Sequence, residues 1–261
     1  MFKQKMVTTA IPERVYVLCK NVYGSRNHVI KRDDLRSMME PDYVNNSSSY
    51  FGEYCQAAVE LGLVTISDGN VSLAVDGSVV ETIDSMRCFA NSRLKNLATG
   101  QFYQVTRAFF NMGPEALLEN KRISDSGWKS VFLKNYGIEI DTQSLLAWRF
   151  WFSFLGFGVM HGMFPIPNPS IFLRDCIKNS TIEVGRRYSV SNFVDVLRPD
   201  LDIVFEVDNR SINYGVSCGL RTLHDTGVIK MEHILDQDTW SLHPMDVHSI
   251  SRTITNITVN E

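Results

Sequence analysis

The chain has 261 residues, of which 44% are hydrophobic, and its formal net charge at pH 7 is only -3. Such a chain can bury a full core, and it lacks the low hydrophobicity and high net charge of disordered proteins. Composition therefore indicates a folded protein of one large domain or two to three small ones.

Cysteine usage and the N-terminal sequence favour a cytoplasmic protein. The five cysteines are widely spaced and form no C-x-x-C pair, so neither a disulfide framework nor a zinc knuckle is indicated. Residues 1–18 lack the continuous apolar stretch of a signal peptide. The apolar segment 145–167 is interrupted by Arg149 and His161, which leaves a run too short to span about 30 Å of hydrocarbon. We expect a buried core helix there and no membrane contact.

Three helices and a hairpin are predicted in the first 80 residues. After Pro12, apolar residues recur at helical spacing as far as Gly24. The sequence KRDDLRSMMEP predicts a short helix that ends before Pro41. NNSSSYFGEYCQAAVELGLV predicts a third helix, capped by Ser or Asn and ended at Gly62. Two short apolar stretches around a Ser-Asp-Gly-Asn turn predict a hairpin over residues 63–75.

The rest of the chain predicts a helical insert and a second unit of the same kind. In the insert, QFYQVTRAFFNM, PEALLEN and SGWKSVFLKNY carry apolar residues three to four positions apart. Near the C-terminus, a short helix stopped by Pro199 and a longer one closed at Gly227 precede VIKMEHILDQDTWSLHP, which reads as strand, turn and strand. The apolar helix at 145–160 and the segment 169–177 would supply the earlier helices of this unit.

Both units resemble the winged-helix superfamily. The resemblance lies in the apolar pattern that follows the helix-ending glycines, VELGLVTISDGNVSL and LHDTGVIKMEHILDQDTWSL. It implies a mainly α fold with small β-wings: an N-terminal winged helix over residues 1–80, a helical insert over 81–144, and a C-terminal winged helix with an apolar core helix over 145–261. The tandem arrangement is also similar to accessory proteins of bacterial defence and chromosome-maintenance operons, such as DpdG-type proteins and the kite subunits of SMC complexes.

The helices that would read DNA are poor in basic residues. In a DNA-reading winged helix, the third helix carries Arg, Lys, Asn or Gln toward the bases, and nearby Lys or Arg neutralise phosphates. Residues 45–63 contain no Lys or Arg, and they include Glu53 and Glu60. The second long helix offers only Arg210 and Arg221. The two wing tips are acidic, so the sequence favours protein contacts for both wings.

Two basic groups remain as candidates for contact with nucleic-acid phosphates. Residues 86–150 carry nine Lys and Arg against five Asp and Glu, so the insert is the predicted main contact. Its candidate residues are Arg93, Lys95, Lys121 and Arg122. A second candidate group precedes the first reading helix and comprises Lys31, Arg32 and Arg36. Phosphate contacts carry no sequence information, so binding through either group would be sequence-blind.

A G-x-S-x-G pattern at residues 215–219 is followed by Asp236 and His243, in the chain order of α/β-hydrolases. The nucleophile of that fold requires a tight turn directly after a strand. Here the only candidate strand ends at Val207, eight residues before Gly215, so a helix interior is predicted instead.

Two patterns suggest metal chemistry. Asp200 and Glu206 have the spacing of a metal-dependent nuclease, but Asp208 occupies the position where that pattern has Lys. The histidines match no standard zinc spacing; they are His224, His233, His243 and His248. No catalytic residue, metal ligand or cofactor is therefore assigned.

The leading functional hypothesis is a non-enzymatic tandem winged-helix adaptor or scaffold within a multiprotein, DNA-acting complex, with prokaryotic defence as its setting. Its partners would be other protein subunits and DNA, which it would contact through the phosphates. A homo-oligomer is compatible with the sequence. The alternatives are a sequence-specific DNA-binding transcriptional regulator and a metal-dependent nuclease.

The first unit can be tested through its predicted core. If Leu61, Leu63 and Val71 fill the interface between the third helix and the hairpin, Leu61→Ala leaves a cavity and lowers the free energy of unfolding by about 2 to 5 kcal/mol. Urea denaturation measures this loss. An unchanged unfolding midpoint would contradict the predicted contact between helix and hairpin.

Overall fold

The computed structural model is a mixed α/β fold, about half helical, with small antiparallel sheets of two and three strands. The helices form where apolar residues recur at helical spacing, and the strands are short segments between turns. The structure describes residues 1–3, 5–41, 43, 50–118, 126–162, 164–206, 210–250 and 252–261.

Residues 1–80 contain three helices and a three-stranded sheet. The elements are α1 (Pro12–Gly24), β1 (Val29–Lys31), α2 (Arg32–Met39), α3 (Phe51–Glu60), β2 (Val64–Ser67) and β3 (Asn70–Leu73). Strand β3 is central and pairs antiparallel with both β1 and β2. Asp68 and Gly69 both have positive φ, as expected for a two-residue hairpin turn. The predicted helices and hairpin are confirmed here, whereas the predicted caps at 45–49 lie outside the described residues.

The middle of the chain is helical, as predicted. It contains α4 (Ile83–Arg93), α5 (Gln101–Asn111), α6 (Glu115–Leu118), α7 (Ser126–Tyr136) and α8 (Thr142–Phe154). Side chains cap two of these helices: the Thr82 hydroxyl accepts a hydrogen bond from the Ser85 N–H, and the Asp141 carboxylate accepts one from the Ser144 N–H.

The C-terminal part repeats the element order of the first part. Its elements are β4 (Gly158–His161), β5 (Phe164–Pro167), α9 (Ser170–Lys178), β6 (Arg187–Ser189), α10 (Val190–Leu201), α11 (Tyr214–Asp225), β7 (Ile229–Glu232), β8 (Trp240–Ser241), β9 (Thr253–Ile254) and β10 (Asn256–Val259). Strand β10 is central between β6 and β7. Both parts therefore share one order, which is helix, strand, helix, helix, strand and strand. The last strand is central in both sheets. The elements are α1, β1, α2, α3, β2 and β3 in the first part and α9, β6, α10, α11, β7 and β10 in the second. Two-stranded pairings of β4 with β5 and of β8 with β9 are additional.

The predicted pairing of the two strands in the C-terminal ribbon is wrong. Strand β7 pairs with β10 at the end of the chain, with Met231 opposite Ile257, and β8 pairs instead with β9. The reason is burial: Ile257 and Val259 are fully buried in the central strand. A central strand is covered more completely than the strand of a protruding hairpin.

Two helix ends also differ from the prediction. Pro199 does not stop α10 but lies inside it, because two further residues continue the helix and bury Leu201 on the same side as Leu197. Proline removes one backbone hydrogen bond near the exposed helix end, which is a limited loss there. The apolar helix predicted over 145–160 ends at Phe154, and Gly156, with φ of 79°, turns the chain into β4.

Helix α8 is buried in an aromatic core. The ring of Phe152 lies 4.6 Å from that of Trp148 and 5.3 Å from that of Phe109 on α5. The indole N–H of Trp148 donates to the Thr106 hydroxyl at 2.9 Å, and that of Trp151 donates to the Ala10 carbonyl at 2.6 Å. The buried core helix is confirmed. No described helix is long and apolar enough to cross a membrane.

The two glycines of the G-x-S-x-G pattern allow α11 to approach its neighbours closely. A Cβ atom on Gly215 would lie 2.5 Å from the Phe110 ring of α5, and one on Gly219 would lie 3.0 Å from the Leu173 side chain of α9. Because residues four apart share a helix face, the pair forms a flat strip against the core.

We expect Gly215→Ala to lower the free energy of unfolding by about 1 to 3 kcal/mol, because the buried Phe110 ring has to move away from the new methyl group. Gly52→Ala is the matched control: it also adds a methyl group to a helix, but no atom lies within 4 Å. It should be neutral or gain up to about 1 kcal/mol from helix propensity. Equal effects in urea denaturation would contradict the packing role of Gly215.

Candidate functional site

Helix α3 presents a small, non-basic face to solvent. Its exposed residues are Gly52, Glu53 and Gln56, and the remaining positions are buried or half-buried. Glu60 turns inward and accepts hydrogen bonds from the backbone N–H groups of Phe2 at 2.6 Å and Lys3 at 3.2 Å. Burial alone would raise the pKa of Glu60, but the Met1 ammonium and these N–H groups hold it below its usual value. The N-terminal segment therefore lies against α3, next to the face that would have to read bases.

Helix α11 occupies the equivalent position in the second repeat and is covered more completely. Of its twelve residues, only Asp225 is exposed. Arg221 is buried, and its guanidinium donates to the backbone carbonyls of Ile250 at 3.0 Å and His243 at 2.8 Å. Burial lowers the pKa of Arg221. This arginine therefore anchors the 243–250 segment to α11 and is not presented to a ligand.

The insert's candidate residues differ in their availability. The Lys95 ammonium lies 3.1 Å from the Asp200 carboxylate, so it is paired within the chain. Arg93 is exposed, and its guanidinium lies 3.5 Å from the point that a Cβ atom on Gly62 would occupy. The prediction for Lys121 and Arg122 falls on residues outside the described part of the chain.

Two further basic side chains of residues 86–150 are also neutralised by the C-terminal half. Arg107 lies 3.4 Å from Glu206, and Arg87 lies 2.9 Å from Asp175. Much of the positive charge that indicated a phosphate surface in the insert is therefore used within the chain.

The second candidate group is the more available. Lys31, Arg32 and Arg36 are all exposed, and none of them has a carboxylate of the described residues within 4.0 Å. The Arg32 guanidinium lies 5.5 Å from the centre of the Phe51 ring, which is a cation–π contact. The structure therefore keeps these charges at the surface.

The two carboxylates of the nuclease pattern face different basic residues. Asp200 contacts Lys95, and Glu206 contacts Arg107; Asp208 lies outside the described residues. Buried Tyr103 lies beside this cluster, and its pKa is raised to about 12, mainly by burial and then by Asp202. Among residues that the structure describes, no three His, Cys, Asp or Glu side chains are grouped to hold a metal ion.

The serine of the G-x-S-x-G pattern lies inside α11, as predicted. Its hydroxyl donates to the Ile212 carbonyl at 3.1 Å and accepts from the backbone N–H of His243 at 2.9 Å. The His243 ring packs edge-on against Tyr214, with ring centres 5.1 Å apart. A serine nucleophile needs a base bonded to its hydroxyl, and here backbone groups occupy Ser217 on both sides.

The remaining histidines have separate structural contacts. The His248 ring lies 3.0 Å from the Asp225 carboxylate, the His224 ring accepts from the Met231 N–H at 3.2 Å, and His233 contacts the Thr253 hydroxyl at 3.4 Å. The His224 and His248 rings also lie 6.3 Å apart, centre to centre, but no third ligand among the described residues joins them to form a metal site.

Sequence reasoning missed one buried polar network between α4 and α9. Asp175 is almost fully buried, and it accepts hydrogen bonds from the Arg87 guanidinium at 2.9 Å and the Asn91 amide at 2.8 Å. Burial lowers the pKa of Arg87, but Asp175 and Asp84 raise it above its usual value. The partners are more than 80 residues apart, so no local pattern could have indicated the pair.

No protein-family model matches the chain, and no curated protein or solved structure matches it either.

Ser217→Ala tests whether this serine is structural. The change leaves the half-buried His243 N–H without its acceptor, so we expect a loss of about 1 to 3 kcal/mol in the free energy of unfolding. Ser37→Ala on exposed α2 is the control and should change stability by less than about 0.5 kcal/mol. A variant at Ser217 that kept full stability but lost an ester-hydrolysing activity would overturn the structural role.

Proposed function

We propose that the protein is a non-enzymatic adaptor, built on two winged-helix units, that assembles a multiprotein DNA-acting complex. The repeated order of helix, strand, helix, helix, strand and strand supports the winged-helix interpretation. The order of strands in the sheets supports the same interpretation. The last strand of each repeat is central, with β3 between β1 and β2 and β10 between β6 and β7. The setting in prokaryotic defence rests on the sequence resemblance alone, and the cytoplasmic location rests on the cysteine usage.

The observation that carries the adaptor proposal is the state of the two reading helices. Helix α11 is covered by α9, by β5 and by the segment that Arg221 anchors. Helix α3 exposes a glycine, a glutamate and a glutamine. A helix that reads bases must enter the major groove with side chains that reach base edges. Among the described residues, Gln56 is the only exposed side chain of either helix that could donate to a base edge, so both winged units are better suited to organise the chain and its partners.

Exposed apolar side chains support protein contacts. Val159 on the β4–β5 hairpin is 57% exposed, and Ile171 at the start of α9 is 47% exposed. Both lie next to tightly packed glycines: a Cβ on Gly156 would lie 2.5 Å from Ile171, and one on Gly158 would lie 2.1 Å from the Ile166 carbonyl. The backbone beneath these side chains is therefore rigid, which favours binding because less conformational entropy is lost.

One observation favours the alternative function, a DNA-binding regulator: Lys31, Arg32 and Arg36 are exposed, and none of them forms an ion pair with a carboxylate of the described residues. The nuclease hypothesis gains no support, because Asp200 and Glu206 are paired with separate basic side chains.

The adaptor proposal predicts stable partners. A tagged protein purified from its native host should retain one or more further subunits through gel filtration, and Val159→Asp should weaken that retention at least about tenfold by placing a charge in an apolar contact. Val184→Asp, at a site 64% exposed on a different segment, is the matched control and should have no effect.

A solitary protein under these conditions would refute the adaptor. A gel-shift series against genomic fragments distinguishes the adaptor from the DNA-binding regulator. Strong preference for one sequence would establish the regulator.

A further inference from the structure

We propose that the basic edge of the first unit, formed by Arg26, Lys31, Arg32 and Arg36, binds the phosphate backbone of duplex DNA without reading its sequence. This inference deepens the proposed function, on which it rests for its setting. The basic edge, and not the insert, would then be the main contact with DNA phosphates, and α3 would lie outside the major groove.

The basic edge lies on one continuous piece of backbone. Arg26 belongs to a short turn before β1, Lys31 ends β1, and Arg32 begins α2. The N–H of Arg32 donates to the Gly69 carbonyl at 2.9 Å, which fixes the start of α2 against the hairpin turn. Arg36 follows Arg32 by four residues, so the two side chains lie one turn apart on the same face of α2.

The turn that carries Arg26 is held in a fixed conformation. Asn27 and His28 both have positive φ, at 54° and 56°, a region that non-glycine residues rarely adopt. The His28 ring stacks on Tyr23, with ring centres 4.8 Å apart, and its Nδ1 lies 2.6 Å from the Tyr23 carbonyl. A fixed turn presents Arg26 with less loss of conformational entropy on binding.

The carboxylates near this edge, which include Asp68 of the hairpin turn, form no ion pair with it among the described residues. Asp33 and Asp34 lie in the first turn of α2, where they complement the helix dipole. At about 100° per residue, Asp34 points to the side of α2 opposite Arg32 and Arg36. Within the described part of the chain, no carboxylate oxygen lies within 4.0 Å of any of the four basic side chains.

The composition of the edge favours phosphate over an acidic protein. Three of its four cations are arginines, whose planar fork matches phosphate oxygens, and the exposed apolar side chains beside it include Val29, at 41% exposure, and Met38, at 55%, on different elements. Protein interfaces usually need a larger apolar centre. In the insert, by comparison, Lys95, Arg107 and Arg87 each form an ion pair with a carboxylate of the C-terminal half.

The test is fluorescence anisotropy with short duplexes of unrelated sequence, between about 50 and 200 mM salt. The triple variant Lys31→Gln, Arg32→Gln, Arg36→Gln should lose at least about tenfold in affinity, equally for every duplex, and its salt slope should fall by up to about three ion equivalents. The charge-matched control Arg93→Gln, Lys129→Gln, Lys134→Gln removes three cations of the insert and should change affinity by less than about twofold. Because Arg32 also packs on Phe51, the double variant Lys31→Gln, Arg36→Gln repeats the measurement without disturbing that contact.

Three results would overturn the inference: no binding by the parent protein, equal losses in both triple variants, or parent binding to polyglutamate as tight as to DNA. The last result would identify an acidic protein as the partner. Failure of the adaptor proposal is distinguishable from failure of this inference. A protein without partners in its host could still bind duplex DNA through this edge. Conversely, an adaptor could keep its partners when the triple variant no longer binds DNA.

Discussion

The burial of α8 among aromatic rings is the constraint on which the remaining packing depends. Trp151 contacts Phe2 of the N-terminal segment, Trp148 contacts Phe109 of α5, and Phe157, just beyond the helix, contacts Phe172 of α9 at 4.6 Å. Each such ring buries roughly 150 to 250 Å². The two indole N–H groups have acceptors, so burial leaves neither unsatisfied. One apolar core therefore runs through all parts of the chain.

This central core explains why the two repeats differ in exposure. The first repeat packs α1 against α8 but keeps part of α3 and the basic edge in solvent. The second repeat packs directly on the core, where Gly215 and Gly219 bring α11 against Phe110 and Leu173. The same succession of elements therefore yields one half-open helix and one covered helix. Of the two helices, α3 is therefore the one with side chains available to an outside partner.

The first repeat was largely predictable from the sequence, because its signals are local. Gly62 ends α3, the Asp68-Gly69 pair forms the turn, and the apolar spacing after Pro12 sets α1. The second repeat was predictable only in its helices, since β10 completes the sheet from more than 20 residues beyond β7. Pro199 misled the prediction for a related reason: tertiary burial of Leu201 outweighs the local preference of proline.

Charge was the least predictable property, because its effect depends on partners distant in sequence. The insert's excess of Lys and Arg is real, but Lys95 pairs with Asp200, and Arg87 with Asp175, across intervals of about a hundred residues. The acidic balance of the C-terminal half and the basic balance of the insert are thus two sides of one internal interface. A net charge close to zero can therefore conceal a surface region that carries charges of one sign. The side chains of the basic edge in the first repeat, which form no ion pair with a described carboxylate, are exposed, so their field reaches solvent.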